Sequence, residues 1–235
     1  MAILSGVGGR AFGIIASPRA TFEAIARDPQ WLGILALTFL VAAGSAAIVL
    51  STDVGQLALL DQWERTASAF GRNVNDAEYA ALAGASRNGA LYAIVNSVVS
   101  GPVLVLVLSG LLFAAFRSAG PGAITFRQVL AVVAHAGVIL ALRQVIAAPV
   151  AYASETLTSP ITMGMFFRML NEASPFARFF GIIDLFVVWW TLVLAIGMSV
   201  LYRRPAPRLA GVFVGAYVTL AVVLTAVMAA TGGTV

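Results

Sequence analysis

Five stretches of this chain are long and apolar enough to pass through a lipid bilayer as helices, and no other feature constrains the fold as strongly. A hydrocarbon core of about 30 Å takes roughly 20 mostly apolar residues, each rising about 1.5 Å. The stretches run from Trp31 to about Ser51, about Leu91 to Phe116, about Gln128 to Tyr152, Phe179 to Tyr202, and Leu209 to Ala230. Composition agrees: the chain is 60% hydrophobic and 10% charged, with a mean hydropathy of +0.96. A water-facing surface usually needs about 25% charged residues, so a soluble enzyme is excluded. The expected fold class is all-α, a polytopic transmembrane helical bundle of five spans.

Arginine sets the orientation, because basic flanks are retained on the cytoplasmic side. All 14 basic residues are Arg. With the N-terminus inside, the inner segments hold Arg10, Arg19, Arg27, Arg117, Arg127, Arg203, Arg204 and Arg208. The outer segments hold Arg65, Arg72, Arg87, Arg168 and Arg178, diluted by Asp53, Asp61, Glu64, Asp76, Glu78, Glu155 and Glu172. The Arg-dense loop Arg203 to Arg208, the short loop Ser118 to Phe126 and the uncharged tail after Ala230 fit the same topology. N-terminus inside and C-terminus outside is the expectation. No cleavable leader precedes the first apolar run, so the first span is expected to serve as its own insertion signal.

The chain thus divides into a cytoplasmic N-terminal segment, residues 1–30, and a five-helix transmembrane domain, residues 31–235. In the first, Ser17-Pro18 starts a short helix and Asp28-Pro29 stops it. That helix puts Phe22, Ile25 and Ala26 together and suits the headgroup layer, with Trp31 as interfacial anchor; an ordinary cytosolic helix is the alternative. Residues 52–90 form the one sizeable extramembrane piece, an outer helical loop. Two short helices are expected there, over Asp61 to Phe70 and Asp76 to Leu82, broken around Gly71 to Asn75, and too small for a core of their own.

Three ionisable groups fall inside the spans: His135, Arg143 and Asp184. Each is unfavourable in hydrocarbon and needs a partner or a purpose. Arg143 lies about 12 Å below the outer end of the third span and Asp184 about 7 Å below that of the fourth. With Asn96 and Gln144 in the same outer half, four polar groups could form one intramembrane cluster. An Arg–Asp tether between helices, snorkelling of Arg143, and a proton- or anion-handling site are the readings open to it. His135, without a second His, Cys or Glu nearby, reads as a hydrogen bonder between helices, so no metal is assigned. Pro102, after Ser100-Gly101, should bend the second span. Gly211 and Gly215, continued by Thr219, make a G-x-x-x-G that lets another helix approach. Phe186, Trp189 and Trp190 read as packing residues.

Three blocks resemble the Yip (Ypt-interacting protein) family of five-span membrane proteins. They are Ser17 to Trp31, with a Pro, an aromatic and D-P-x-W; Thr125 to Leu142, with an aromatic-basic start; and Ile183 to Met198, with D-x-F-x-x-W and a following L-x-x-x-x-G. The resemblance implies a five-span bundle with a cytoplasmic N-terminus, and in eukaryotes an association with Rab-type GTPases and vesicle traffic. The short loops and high Arg content suit the prokaryotic branch and its plasma membrane. Many bacterial members carry a Pro shortly after the position of His135. This chain has Gly137-Val138-Ile139, so the resemblance does not carry the shape of the third span past that point.

Catalytic inventory is sparse. There is no cysteine, and no P-loop, H-E-x-x-H or G-x-S-x-G, so no enzyme activity, catalytic residue or cofactor is expected. Dispersed arginines without a dense basic patch exclude a nucleic-acid partner. The expected function is that of a non-catalytic membrane subunit or scaffold, in contact with lipid and with other integral membrane proteins such as the permease of a transport complex. A small transporter or channel using the outer polar cluster is the alternative, and a GTPase-linked trafficking factor a third. An odd number of spans without a visible repeat favours the scaffold over the transporter.

Overall fold

The computed structural model describes residues 6–117, 124–157, 159, 161–167, 169–171 and 174–231. Arg168, Glu172, most of the loop from Ser118 and the tail beyond Thr231 lie outside them. The helices are α1 (Val7–Ala16), α2 (Pro18–Arg27), α3 (Leu32–Leu50), α4 (Asp53–Ala69), α5 (Asp76–Ser86), α6 (Gly89–Phe116), α7 (Phe126–Ala136), α8 (Val138–Ser154), α9 (Pro175–Ile182), α10 (Leu185–Tyr202) and α11 (Ala206–Thr231), with a 3₁₀ turn at Met163–Phe167. Five stretches can span a membrane: α3, α6, α7 with α8, α10 and α11. The all-α, five-span architecture read from hydropathy is the one observed.

By its contacts the chain forms two compact units, the first comprising Met1–Ala42, Asn96–Arg143 and Phe186–Gly215, the second Ala43–Val95, Gln144–Leu185 and Ala216–Val235. In the first unit, α1 and α2 fold back on each other. The pair is fixed by Arg10, whose Nη2 lies 2.7 Å from Asp28 Oδ2 and whose Nη1 donates to the Asp28 carbonyl at 3.1 Å. Ile14, Phe22 and Ile25 are fully buried. The apolar face of α2 thus packs against protein, and both α1 and α2 contact α7. Two side chains lock this docking: Gln128 Nε2 donates to the Ala26 carbonyl at 3.0 Å, and Arg127 Nε to that of Pro29 at 3.2 Å. The first satisfies a carbonyl in the last turn of α2, and the second one just beyond its end.

The start of α7 is a capping box. Thr125 Oγ1 accepts from the Gln128 N–H, while Gln128 Oε1 accepts from the Thr125 N–H. From Val129 to Ala136 every residue is buried, as befits a helix apolar on all sides. Gly197 on α10 opens the space for this packing, since a Cβ there would lie 2.5 Å from Val132 Cγ1 and 3.0 Å from the Phe22 ring. Val7 on α1 sits beside Gly33, in the first turn of α3. Phe116 meets Tyr202 at 5.3 Å and Phe213 at 6.2 Å between ring centroids.

The third span runs from Phe126 to Ser154 as the one stretch that the sequence suggested. Gly137 separates α7 from α8 with φ −56° and ψ −17°. Hydrogen bonds from Gly137 to Val133 at 3.1 Å and from Ala141 to Gly137 at 3.0 Å carry the chain across. Helical hydrogen bonding therefore continues past Gly137, although glycine is a weak helix former.

In the second unit, the piece between the first two spans is two helices as expected, but α4 begins eight residues earlier than the reading from Asp61. Its start is set by Thr52, whose Oγ1 accepts from the Gly55 N–H at 3.1 Å. Gly71, at φ 73°, provides the left-handed turn that ends α4. Asn75 and Glu78 form a capping box for α5. Leu50, Leu59 and Ala93 make a small core with Ala46, Trp63 and Leu157 against it. Through Leu59 and Trp63, α4 therefore packs on residues of α3 and α6 and not on α5 alone.

Candidate functional site

The apolar run from Phe179 to Tyr202 reads as one helix, yet the chain leaves helical geometry at Ile183 and Asp184 before α10 begins at Leu185. Asp184 therefore stands at the start of the fourth transmembrane helix and not about 7 Å inside it. The reason is a local pairing that hydropathy does not report. Asp184 bridges Thr162 in antiparallel fashion, with the Met163 N–H donating to the Ile183 carbonyl at 2.8 Å and the Leu185 N–H to that of Ile161 at 3.1 Å.

The node is closed by two further side chains. Ser159 Oγ donates to Asp184 Oδ2 at 2.7 Å. The Asp184 N–H donates to Tyr217 Oη at 3.0 Å, and that hydroxyl donates to the Ile182 carbonyl at 2.8 Å. Asp184 is only 5% exposed. A helix start favours a carboxylate, and backbone groups released by the break need partners, so the arrangement satisfies charge and main chain together. Nearby, Phe167 stacks on Phe180 with centroids 4.3 Å apart, and Arg178 Nη1 donates to the Met228 carbonyl at 2.8 Å. Chemically this is a hydrogen-bonded clasp. Sequence reasoning missed Ser159 and Tyr217; the signal available was a polar-tipped aromatic inside an apolar span, which seeks a partner for its hydroxyl.

The other polar residues singled out in the sequence lie on α6, α7 and α8. Arg143 and Gln144 are half-buried on α8, and Asn96 is exposed on α6. His135 is buried, and its Nδ1–H donates to the Ala131 carbonyl at 2.7 Å, within its own helix. Among the described residues no group of three or more His, Asp or Glu side chains is placed to hold a metal. Pro102 lies within an unbroken α6, beside Gly101, where a Cβ would collide with the Phe39 ring. Phe186 and Trp189 pack with ring centroids 5.9 Å apart. Gly211 and Gly215 are exposed on α11, and a Cβ at either would meet nothing within 4 Å.

Comparison with curated proteins finds no match, and no solved structure matches. The Yip1 domain matches residues 12–228, which takes in α2 through α10, all five spans and the Asp184 clasp. With nearly its whole length matched and five helices fit to span a membrane, this chain belongs to the Yip1 domain family of integral membrane proteins.

Proposed function

We propose that this protein is a non-catalytic subunit or scaffold that binds other integral membrane proteins, such as the permease of a transport complex, in a prokaryotic plasma membrane. Its N-terminus and the Arg203–Pro205 turn lie inside, its α4–α5 piece outside. The observation that carries the reading is the outward G-x-x-x-G of α11. Helices in lipid associate through close backbone approach at small residues, and Gly211 and Gly215 leave open space where a partner backbone can settle. Asn96 adds independent support, because a primary amide exposed on a bilayer-embedded helix is better satisfied by a neighbouring chain than by lipid tails.

The Asp184 clasp supports a structural use of the buried carboxylate, since its hydrogen bonds hold a chain break closed. A groove of about 530 Å³ in the second unit is lined by Ile48, Val49, Val145, Ala148 and Pro149, with little polar wall for a solute.

Affinity purification in mild detergent, with the co-purifying chains identified, tests the proposal. Wild type should retain a defined membrane partner, and Gly211→Leu with Gly215→Leu should lose it while remaining folded. Leu220→Val, on the opposite face of α11, should retain it. Solute or ion flux from the purified single chain in liposomes, lost in Asp184→Asn, would replace the scaffold reading with a transporter.

A further inference from the structure

A second polar feature lies where α10 turns into α11. A cleft of about 410 Å³ is lined by Arg19 and Glu23 from α2, Ser199 and Val200 from α10, and Arg203, Arg204, Pro205 and Ala206 from the turn. Such a volume falls in the ordinary range of small-ligand sites. The cleft carries three guanidinium groups against one carboxylate. Glu23 neutralises little of that charge: it meets Arg19 through Nε alone, at 3.4 Å, with both side chains more than half exposed. Ser199 uses its hydroxyl on the Ile196 carbonyl at 2.8 Å, so the ligand-facing chemistry is that of the arginines.

Arg203 has φ 50°, in the left-handed region. A helix-ending turn of this kind is served most easily by Gly or Asn, and a long side chain there is conformationally disfavoured. The turn keeps an arginine at a position where glycine would be easier, and that arginine lines the cleft. Backbone strain of this sort gathers where function requires it. Arg19 stands on a helix that is itself fixed, because Phe22 and Ile25 of α2 are fully buried in the core. The cleft also opens beside the start of the 26-residue α11, whose positive dipole end favours an anion.

The turn joins the last residue of one membrane-spanning helix, Tyr202, to the first of the next, Ala206. A side chain at that level stands among lipid phosphates. We propose that this cleft binds the phosphate of an anionic phospholipid in the adjoining leaflet, with Arg19 and Arg203 as the principal ligands and Val200, Pro205 and Ala206 against the glycerol end. Free inorganic phosphate offers the same chemistry without the anchor.

The test uses the purified full-length protein in detergent and native mass spectrometry of retained lipid. Phosphatidylglycerol and phosphatidylcholine of identical chains are offered in competition. Wild type should prefer one phosphatidylglycerol, and Arg19→Gln with Arg203→Gln should weaken that preference roughly fivefold for each arginine removed. Both residues are exposed, so thermal stability should hold. Arg65→Gln, which removes one positive charge from α4 away from the cleft, should leave the preference intact. If inorganic phosphate displaces the lipid at comparable concentration, the cleft is a phosphate site that lipid merely shares. Equal retention of the two lipids by wild type, an unchanged preference in the double variant, or an equal loss in Arg65→Gln overturns the proposal.

Discussion

Arg10 and Asp28, eighteen residues apart, meet at 2.7 Å, and their contact closes α1 onto the end of α2. The two partners are unequal: the Arg10 side chain is 10% exposed and that of Asp28 53%. Removing the buried and the exposed member should therefore have different effects. Asp28→Ala removes the carboxylate partner of a buried guanidinium and should lower stability by about 2 kcal/mol. Arg10→Met replaces the charge with an apolar side chain of similar length and leaves a carboxylate that water can solvate, at a cost of about 1 kcal/mol. Thermal unfolding in detergent reads both; the reverse order would mean that Arg10 is not held as described.

Packing of α2 onto the spans rests on the absence of a side chain at Gly197. Gly197→Ala places a methyl group 2.5 Å from Val132 Cγ1 and 3.0 Å from the Phe22 ring, so one must move. A loss of about 1–3 kcal/mol is expected. Gly44→Ala, at a helical position where a Cβ meets nothing within 4 Å, should be neutral or slightly stabilising. Equal melting temperatures for the two variants would contradict the docking of α2 through Phe22.

Hydropathy made the five spans legible, because lipid demands length and apolarity and little else. It did not reveal α1. Val7–Ala16 is too short to cross a membrane, and Arg10 in its middle reads as a soluble residue until its pairing with Asp28 is seen. Nor did it place the end of the fourth span, since Phe179 to Tyr202 is apolar on both sides of Asp184 and the break is made by a tertiary pairing with Thr162. The capping boxes at Thr125 and Asn75 were present as short motifs, and each marks a real helix start. What the polar residues do was least legible. A depth count can put Asp184 near other polar groups, but it cannot foresee Ser159 and Tyr217 arriving from a loop and another helix.

Orientation follows from the arginine distribution and is open to direct test. Reporter fusions after Pro205 should behave as cytoplasmic, and those at Asn73, between α4 and α5, as external. The opposite pattern would invert the topology and place the basic cleft on the outer leaflet.

The central claim, that this membrane protein works by holding another, is tested most directly at the α11 seam. A photoactivatable amino acid placed singly at Gly211, Gly215 or Leu220, and irradiated in intact membranes, reports what lies against each position. The account predicts adducts with one defined membrane protein from positions 211 and 215, with position 220 labelling lipid only. Lipid adducts alone from all three positions, at normal expression and with the protein folded, would contradict it.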